Sequence, residues 1–171
     1  NRLAKVEIGP STGQPLTHTT EYRYDPNGNL VRAVEYIAAS NQATRQVTAA
    51  WEYNNMNQPV RHTQALGSTD EKTTYYIYDN LGRLAATRTP NRVDLVNTYD
   101  ERGRLKNFAS TDGTVKYEYA YDNNNNILSV ADQTGQQNIL RQYDQYNRVL
   151  SETQPTGNQS SYAYDRFGRR I

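Results

Sequence analysis

A short motif recurs seven times along the chain, each copy beginning with Tyr-Asp or Tyr-Asn and reaching Gly or Asn four residues later. The copies start at Tyr24, Tyr53, Tyr78, Tyr99, Tyr121, Tyr143 and Tyr164, so their spacings are 29, 25, 21, 22, 22 and 21 residues. A recurring period of this length is typical of repeat architectures, in which each unit stacks on its neighbours. We therefore look for function in what an array does, and not in a single pocket.

Two positions of the motif specify a turn. The second position is Asp in six copies and Asn54 in the other, and the fifth is always Gly or Asn. An Asx side chain accepts a hydrogen bond from the backbone N–H two residues on, and Gly and Asn most readily adopt positive φ. The pattern predicts a type I turn closing into a left-handed residue, and hence a β-hairpin with a G1 bulge.

The residues before each turn alternate in the manner of a strand. Tyr76 and Tyr78 are predicted on one face of a strand, with Tyr75 and Ile77 on the other, and residues 116–121 repeat this pattern. Turn-rich connectors lie about halfway between motif copies, so each repeat is predicted to be two strands joined by two turns. Nothing in the pattern indicates a helix.

A polar or basic residue follows each turn, and an aliphatic residue usually comes next, as in Arg83-Leu84 and Asn126-Ile127. The aliphatic residue is expected to restart the strand and to pack against the neighbouring repeat. Pro59 breaks this slot and predicts a bulge or an edge, since proline lacks a ladder donor.

The apolar content is low for a folded domain. Leu, Ile, Val and Phe make up 29 of 171 residues, a level at which disorder is often suspected. The net charge, however, is only +1 and there are 15 tyrosines, whereas disordered chains are usually highly charged and poor in aromatic residues. The composition therefore predicts a folded chain with a thin apolar layer.

The two ends of the chain also fit the repeat. Asn1-Arg2-Leu3 matches the end of an eighth copy, and the chain stops just after the seventh turn. An open array would leave exposed sheet edges there. We expect residues 1–171 to be one array of about seven repeats without an internal boundary, cut from a longer array, with a looped insertion near residues 38–43.

The motif resembles the YD repeat of the Rhs family, whose relatives include the cage-forming subunits of bacterial Tc toxins and the animal teneurins. Residues 78–84 and 99–105 match its Tyr-Asp-x-x-Gly-Arg-Leu pattern completely, and residues 164–170 depart from it only at Arg170. The resemblance implies an all-β fold in which antiparallel hairpins join into a curved or spiralling sheet, as a section of a hollow shell.

The resemblance also implies a function. In bacterial members the shell encloses a toxic C-terminal domain, keeps it inactive in the producer, and travels through a secretion apparatus such as type VI secretion or with an injection complex. The expected partners are the rest of the shell and the enclosed toxin, and the expected location is secreted or cell-surface as part of a larger protein. The segment itself is expected not to be an enzyme. The alternative is a teneurin-like adhesion or carbohydrate-binding module.

One segment is similar to the aspartyl self-cleavage site Asp-Pro-x-Gly-Leu of Rhs shells. Asp25-Pro26-Asn27-Gly28 is followed by Asn29 before Leu30, so the match carries an extra residue. The segment also lies in phase with the other copies. We therefore interpret it as an ordinary repeat turn.

No residue is predicted to be catalytic, to hold a cofactor or to bind a metal. His18 and His62 are 44 residues apart without carboxylates at ligand spacing, and are interpreted as solvated surface residues. Calcium at the repeated aspartates is disfavoured because Asn54 fills the same turn position. No phosphate-binding loop or nucleophile elbow is present.

Neither nucleic-acid binding nor a membrane span is expected. A net charge of +1 leaves little excess charge for a phosphate backbone, so nucleic acid is not expected. No apolar run approaches the length of a membrane span. A row of tyrosines could stack on sugars, but their phase with the turns favours cross-strand packing.

Overall fold

The computed structural model describes residues 2–8, 18–37 and 45–171, and within these ranges every regular element is a β-strand. Asn1, the connector at 9–13 and the predicted insertion at 38–43 lie outside the described residues. The chain divides into two compact units, Asn1–Arg92 and Val93–Ile171. Each unit is described by itself.

The described residues of the first unit form seven strands. They are β1 (Arg2–Ile8), β2 (His18–Tyr24), β3 (Leu30–Ile37), β4 (Arg45–Tyr53), β5 (Pro59–Gln64), β6 (Lys72–Tyr78) and β7 (Leu84–Arg88). Each strand is antiparallel to the next in chain order.

The second unit repeats this arrangement. Its strands are β8 (Asp94–Tyr99), β9 (Leu105–Ser110), β10 (Lys116–Tyr121), β11 (Ile127–Asp132), β12 (Gln137–Tyr143), β13 (Val149–Thr153) and β14 (Gln159–Ser161). They also pair antiparallel in chain order. The prediction of an all-β array of antiparallel hairpins is confirmed.

Six of the seven motif turns join two strands whose register shifts beside the motif tyrosine, and the seventh is flanked by an isolated bridge between Tyr164 and Arg170. In the β6–β7 hairpin Ile77 lies opposite Ala86, whereas Tyr78 lies opposite Leu84, so one residue of β7 is left over. The same shift occurs in the five other hairpins built on a motif turn. This bulge lies in the strand beyond the turn, and outside the Pro59 hairpin it was not predicted. The predicted G1 bulge lies in the turn itself, where the Gly82 N–H donates to the Asp79 carbonyl and the Asp79 N–H donates to the Arg83 carbonyl, both at 2.9 Å.

Pro59 lies at a position in its strand that tolerates proline. It is the first residue of β5 and pairs with Tyr53, a position where a missing N–H is tolerated. The predicted bulge is present beside Pro59, but the other five hairpins share it, so it is not specific to proline.

Very little of the described chain is fully buried. Val34 is the single buried apolar side chain among the described residues, and the buried polar ones are Thr48, Thr63, Ser110 and Ser151. In β10 the tyrosines at 117, 119 and 121 are half-buried while the residues between them are exposed. The thin apolar layer predicted from composition is therefore confirmed. None of the described elements is a helix capable of crossing a membrane.

Candidate functional site

The aspartate of each motif organises its turn through local hydrogen bonds. In the fourth copy Asp100 Oδ1 accepts the backbone N–H groups of Arg102 at 3.0 Å and Arg104 at 2.9 Å. The backbone of Gly103 donates to the Asp100 carbonyl at 2.9 Å. The closing bond to the Asx carbonyl is present in all seven copies, so the predicted type I turn is confirmed throughout.

The fifth residue of every copy has positive φ. The values are 88° at Gly28, 58° at Asn57, 76° at Gly82, 80° at Gly103, 70° at Asn125, 62° at Asn147 and 79° at Gly168. This is the conformation for which Gly and Asn were expected at this position.

The residue after the left-handed position holds the aspartate from a second side, and we call it the clamp residue. The clamp residues are Asn29, Gln58, Arg83, Arg104, Asn126, Arg148 and Arg169. Arg104 Nε donates to Asp100 Oδ2 at 2.7 Å, and Asn126 Nδ2 donates to Asp122 Oδ2 at 2.8 Å. Both carboxylate oxygens of these aspartates are thus engaged within their own turn.

Four clamp residues, Asn29, Gln58, Arg104 and Asn126, also reach forward to the next turn. Asn29 Nδ2 donates to Asn57 Oδ1 at 2.9 Å, and Gln58 Nε2 donates to the Gly82 carbonyl at 2.7 Å. Arg104 Nη1 donates to the Asp122 carbonyl at 2.8 Å. Successive turns are therefore joined by side-chain bonds at the turn edge of the sheet.

Five motif tyrosines reach in the opposite direction, to the preceding repeat. Tyr78 donates its hydroxyl to the Pro59 carbonyl at 2.9 Å, and Tyr121 donates to the Leu105 carbonyl at 2.8 Å. The same bond joins Tyr53 to Leu30, Tyr143 to Ile127 and Tyr164 to Val149. In each case the acceptor is the first residue of the strand that follows the preceding turn. We call the forward clamp bond and the backward tyrosine bond together the turn ladder.

The electrostatics agree with these contacts. Hydrogen bonds from the Arg104 backbone and side chain, with the Arg104 charge, lower the pKa of Asp100 against the opposing effect of burial. Burial raises the pKa of Tyr121, so its hydroxyl keeps the proton that it donates. The Arg104 guanidinium carbon also lies 4.5 Å from the centre of the Tyr121 ring, a cation–π distance.

Sequence reasoning missed both halves of the turn ladder. It assigned the tyrosines to cross-strand packing and described the clamp position only as polar or basic. A signal was present, since that position holds Asn, Gln or Arg in all seven copies, and each of these has an N–H donor long enough to leave its own turn.

The segment that resembles a self-cleavage site is an ordinary turn of the ladder. Asp25 Oδ1 accepts the Asn29 backbone N–H at 2.8 Å, and Asp25 Oδ2 accepts Asn29 Nδ2 at 2.8 Å. The extra residue of the match, Asn29, is the clamp residue. Despite the opposing effect of burial, these bonds lower the pKa of Asp25.

Of the two histidines, only His62 has a side chain among the described residues. His62 is half-buried and stacks on Trp51, with ring centroids 4.7 Å apart and planes 11° apart, because the two residues are cross-strand partners. The interpretation of His62 as a solvated surface residue holds only in part, since Trp51 covers one face of its ring. The side chain of His18 lies outside the described residues. Within the described ranges no three His, Asp or Glu side chains converge in a way that could hold a metal ion.

Comparisons with known proteins agree with this geometry. A family model described as the teneurin YD-shell matches residues 34–169, whereas no curated protein matches the sequence. A crystal structure of TcdB2-TccC3-Cdc42 is similar over 98% of this chain, with 13% identity and a TM-score of 0.69. The Tc holotoxin pore of Photorhabdus luminescens, with the TccC3 mutation D651A, is similar over 98% of this chain, with 14% identity and a TM-score of 0.66.

Those likenesses are to parts of much larger chains. This chain covers 10% of each of the two solved chains, and at such low identity the likeness concerns the fold alone. The family model, in contrast, spans well over half of the chain and includes six of the seven motif tyrosines. The resemblance to YD-repeat proteins is thereby confirmed, and the chain belongs to the teneurin YD-shell family.

Proposed function

We propose that the chain is a wall segment of a YD-repeat toxin shell, which encloses a C-terminal toxic domain and supports its delivery. The chain has a structural role as a YD-shell element. The observation that carries the proposal is the turn ladder, in which the recurring side chains of the motif join one repeat to the next. The enclosed toxin, the remainder of the shell and a secretion or injection apparatus are the partners in this proposal.

The occupied motif side chains support a role without enzyme activity in this segment. The carboxylates of Asp100 and Asp122 are bound within their turns, and the Tyr121 and Tyr143 hydroxyls donate to backbone carbonyls. A catalytic acid or base must instead be free to exchange a proton with a substrate. In this proposal, any toxic or self-cleaving activity belongs to parts of the protein outside residues 1–171.

Limited proteolysis of the full-length protein that carries this chain tests the proposal. The region C-terminal to the shell should resist trypsin in the native protein and become sensitive in the double variant Tyr121→Phe/Tyr143→Phe, which removes two ladder bonds. The matched control is Tyr117→Phe/Tyr119→Phe, which alters two tyrosines outside the motif. Mass spectrometry of the fragments gives the rate of cleavage. A C-terminal region cut as fast in the native protein as in isolation contradicts enclosure.

The matching family model is that of teneurins, and this favours cell-surface adhesion as a second candidate function. In that case the chain would be displayed outside the cell and would bind another surface. Beads coated with the full-length protein should then adhere to cells in a saturable manner, and soluble full-length protein should compete. Protease protection without adhesion supports the toxin shell, whereas adhesion without a protected domain supports this alternative.

A further inference from the structure

Two neighbouring turns of the second unit each present an exposed aromatic ring at the fourth position of the motif. Tyr146 and Phe167 occupy this position in the sixth and seventh copies, and they are 68% and 69% exposed. Asn27 and Asn124 occupy it in the first and fifth copies, so the turn itself does not require an apolar side chain there. Exposed rings that the fold does not need indicate a contact surface.

The two turns that carry these rings are held side by side. Arg148 Cζ is 5.2 Å from the centre of the Tyr146 ring in its own turn and 4.4 Å from the centre of the Tyr164 ring in the next copy. Its Nη1 atom also lies 3.7 Å from the place that a Cβ of Gly168 would occupy. Tyr146 and Phe167 therefore project from the same edge of the sheet. We call these two rings the turn-tip patch, together with the three arginines of the last hairpin, Arg166, Arg169 and Arg170.

Positive charge is concentrated in the turn-tip patch. Residues 93–171 contain nine basic and ten acidic residues, whereas residues 162–171 contain three arginines and one aspartate. Arg169 Nε donates to Oδ2 of this aspartate, Asp165, at 2.7 Å. The last hairpin therefore carries a local excess of two positive charges within a unit that is otherwise slightly acidic.

Arg166 and Arg170 carry this excess charge. Neither pairs with a carboxylate of the described residues, and both are exposed. Their guanidinium carbons lie over aromatic rings instead, 4.6 Å from the centre of Phe167 and 4.1 Å from the centre of Tyr162. Each of the two cations is therefore presented together with a ring.

We propose that the turn-tip patch binds the surface of an anionic lipid bilayer, with its two rings at the level of the headgroups and its arginines among the lipid phosphates and carboxylates. Aromatic side chains such as tyrosine favour this interface, and each cation near an anionic bilayer adds to the attraction. The long arginine side chain can bury its stem while its charge stays among the headgroups. The contact is with the surface only, and it does not depend on enclosure of a toxin.

The shape of the patch favours a bilayer over a peptide or a nucleic acid. Peptides are bound in grooves or at free strand edges, whereas Tyr146 and Phe167 stand at the ends of turns and are mostly exposed. A bilayer is soft enough to receive such projecting apolar side chains. Two unpaired arginines are also too few for a phosphate backbone, which is bound through many charged contacts.

Co-sedimentation of the 171-residue chain with lipid vesicles tests the proposal. Vesicles of phosphatidylcholine with about one-third phosphatidylserine should carry the chain into the pellet, and added salt should weaken binding because the charges are exposed. Vesicles of phosphatidylcholine alone should bind at least about tenfold more weakly. Equal binding to the two kinds of vesicle overturns the proposal. Tighter binding of a soluble glutamate–tyrosine copolymer or of a single-stranded oligonucleotide, at equal negative charge, also overturns it.

The double variant Tyr146→Asn/Phe167→Asn tests the two rings. It should keep the fold, because Asn27 and Asn124 occupy the same position in other copies, and circular dichroism checks this. Binding to the mixed vesicles should weaken at least about tenfold, since the rings no longer leave water. Leu140→Asn is the matched control, because Leu140 is 51% exposed on a strand of the same unit, and it should bind as the native chain does. Unchanged binding of the double variant contradicts the proposal.

The double variant Arg166→Gln/Arg170→Gln tests the two cations. Gln145 already occupies the position of Arg166 in the sixth copy. Binding to the mixed vesicles should weaken about tenfold, and most of the preference for phosphatidylserine should be lost. Lys106→Gln/Lys116→Gln removes two exposed cations of the same unit outside the patch and should keep both the affinity and the preference. An equal loss in the two double variants would show that net charge alone is responsible and would overturn the proposal.

Discussion

The motif tyrosine contributes in two ways, through packing of its ring and through a hydrogen bond from its hydroxyl. The ring is half-buried on one face of the strand, and the hydroxyl donates to a carbonyl of the preceding repeat, as Tyr121 does to Leu105 at 2.8 Å. A phenylalanine would supply the first task but not the second. Phe therefore leaves the acceptor carbonyl without its partner.

We predict that Tyr121→Phe lowers the free energy of unfolding by about 1 kcal/mol, the usual contribution of one hydrogen bond. Urea unfolding monitored by circular dichroism measures the change. Tyr119→Phe is the control, since Tyr119 lies on the same face of β10 and its hydroxyl bonds to none of the described residues. Equal effects of the two substitutions would assign the role of Tyr121 to its ring alone.

The residue that closes each turn is also restricted by its local backbone conformation, which is left-handed. Gly28 has φ of 88°, and a Cβ placed there would meet no atom within 4 Å. We predict that Gly28→Ala costs about 1 kcal/mol through backbone strain without any clash. Gly28→Asn should cost less, because Asn occupies three equivalent positions and tolerates positive φ better than Ala does. Thermal unfolding of the two variants compares them, and an equal loss would contradict the strain explanation.

At the scale of the hairpin, the junction between neighbouring turns depends on matched side-chain lengths. Asn126 is a short clamp residue and reaches Asn147 Oδ1 at 2.8 Å. Gln58 is longer and reaches the backbone carbonyl of Gly82 at 2.7 Å. An Asn in the left-handed position thus extends an acceptor toward a short clamp residue, which Gly cannot do. Asn is therefore more than a tolerated replacement for Gly.

We predict a measurable coupling between Asn126 and Asn147. Asn147→Gly relieves backbone strain but removes the acceptor, so its effect should depend on the partner. A double-mutant cycle with Asn126→Ala should give a coupling of about 0.5 kcal/mol, because the bond is exposed. Asn147 also accepts from Asn124 at 3.0 Å, so Asn124 is kept constant through the cycle. Additive effects would show that the junction bond contributes nothing.

The hairpins were predictable from sequence because their chemistry is local. The turn is specified by contacts between Asp100 and residues up to four positions later, all within one motif. The bond from Tyr121 to Leu105 spans 16 residues and depends on the strand register, which the bulge sets. The stacking of His62 on Trp51 likewise follows from pairing between β4 and β5. Such contacts are not visible until the register of neighbouring strands is known.

At the scale of the whole molecule, stability is spread over many junctions instead of one core. Val34 is the sole buried apolar side chain of the described residues, and the ladder bonds recur in both units. Stability of this kind is approximately a sum of repeat and nearest-neighbour contributions. A change shared by all repeats should therefore affect the molecule more than any single substitution.

Acid is such a change. Hydrogen bonds within the turns lower the pKa of the motif aspartate below its ordinary value of 3.8 in the third to seventh copies, although burial opposes this shift. These aspartates are Asp79, Asp100, Asp122, Asp144 and Asp165. Because the folded state favours the carboxylate, this contribution to stability is complete above about pH 5, roughly one unit over the ordinary aspartate pKa, and is lost as the pH falls through the lowered values. We predict a urea midpoint that is constant from neutral pH down to about pH 5 and then declines.

A neutral turn already present in the chain provides the control for the acid prediction. Asn54 and Gln58 form the second turn without a charge, with Asn54 Nδ2 donating to Gln58 Oε1 at 3.0 Å. The double variant Asp122→Asn/Asn126→Gln copies this pair into the fifth turn. The double variant should lose less stability than the native chain as the pH falls. The difference should equal the contribution of one aspartate. An unchanged pH profile would show that Asp122 does not contribute.

The turn ladder has a consequence for how such chains change over generations. Each junction links residues in different repeats, as Asn29 is linked to Asn57 and Asn126 to Asn147. A substitution on one side alters what its neighbour some twenty or more positions away must provide, so the two sites are expected to covary among relatives. Duplication or loss of a complete repeat preserves a junction only where the new neighbours match. The order of the repeats is thus under selection, and not merely their number.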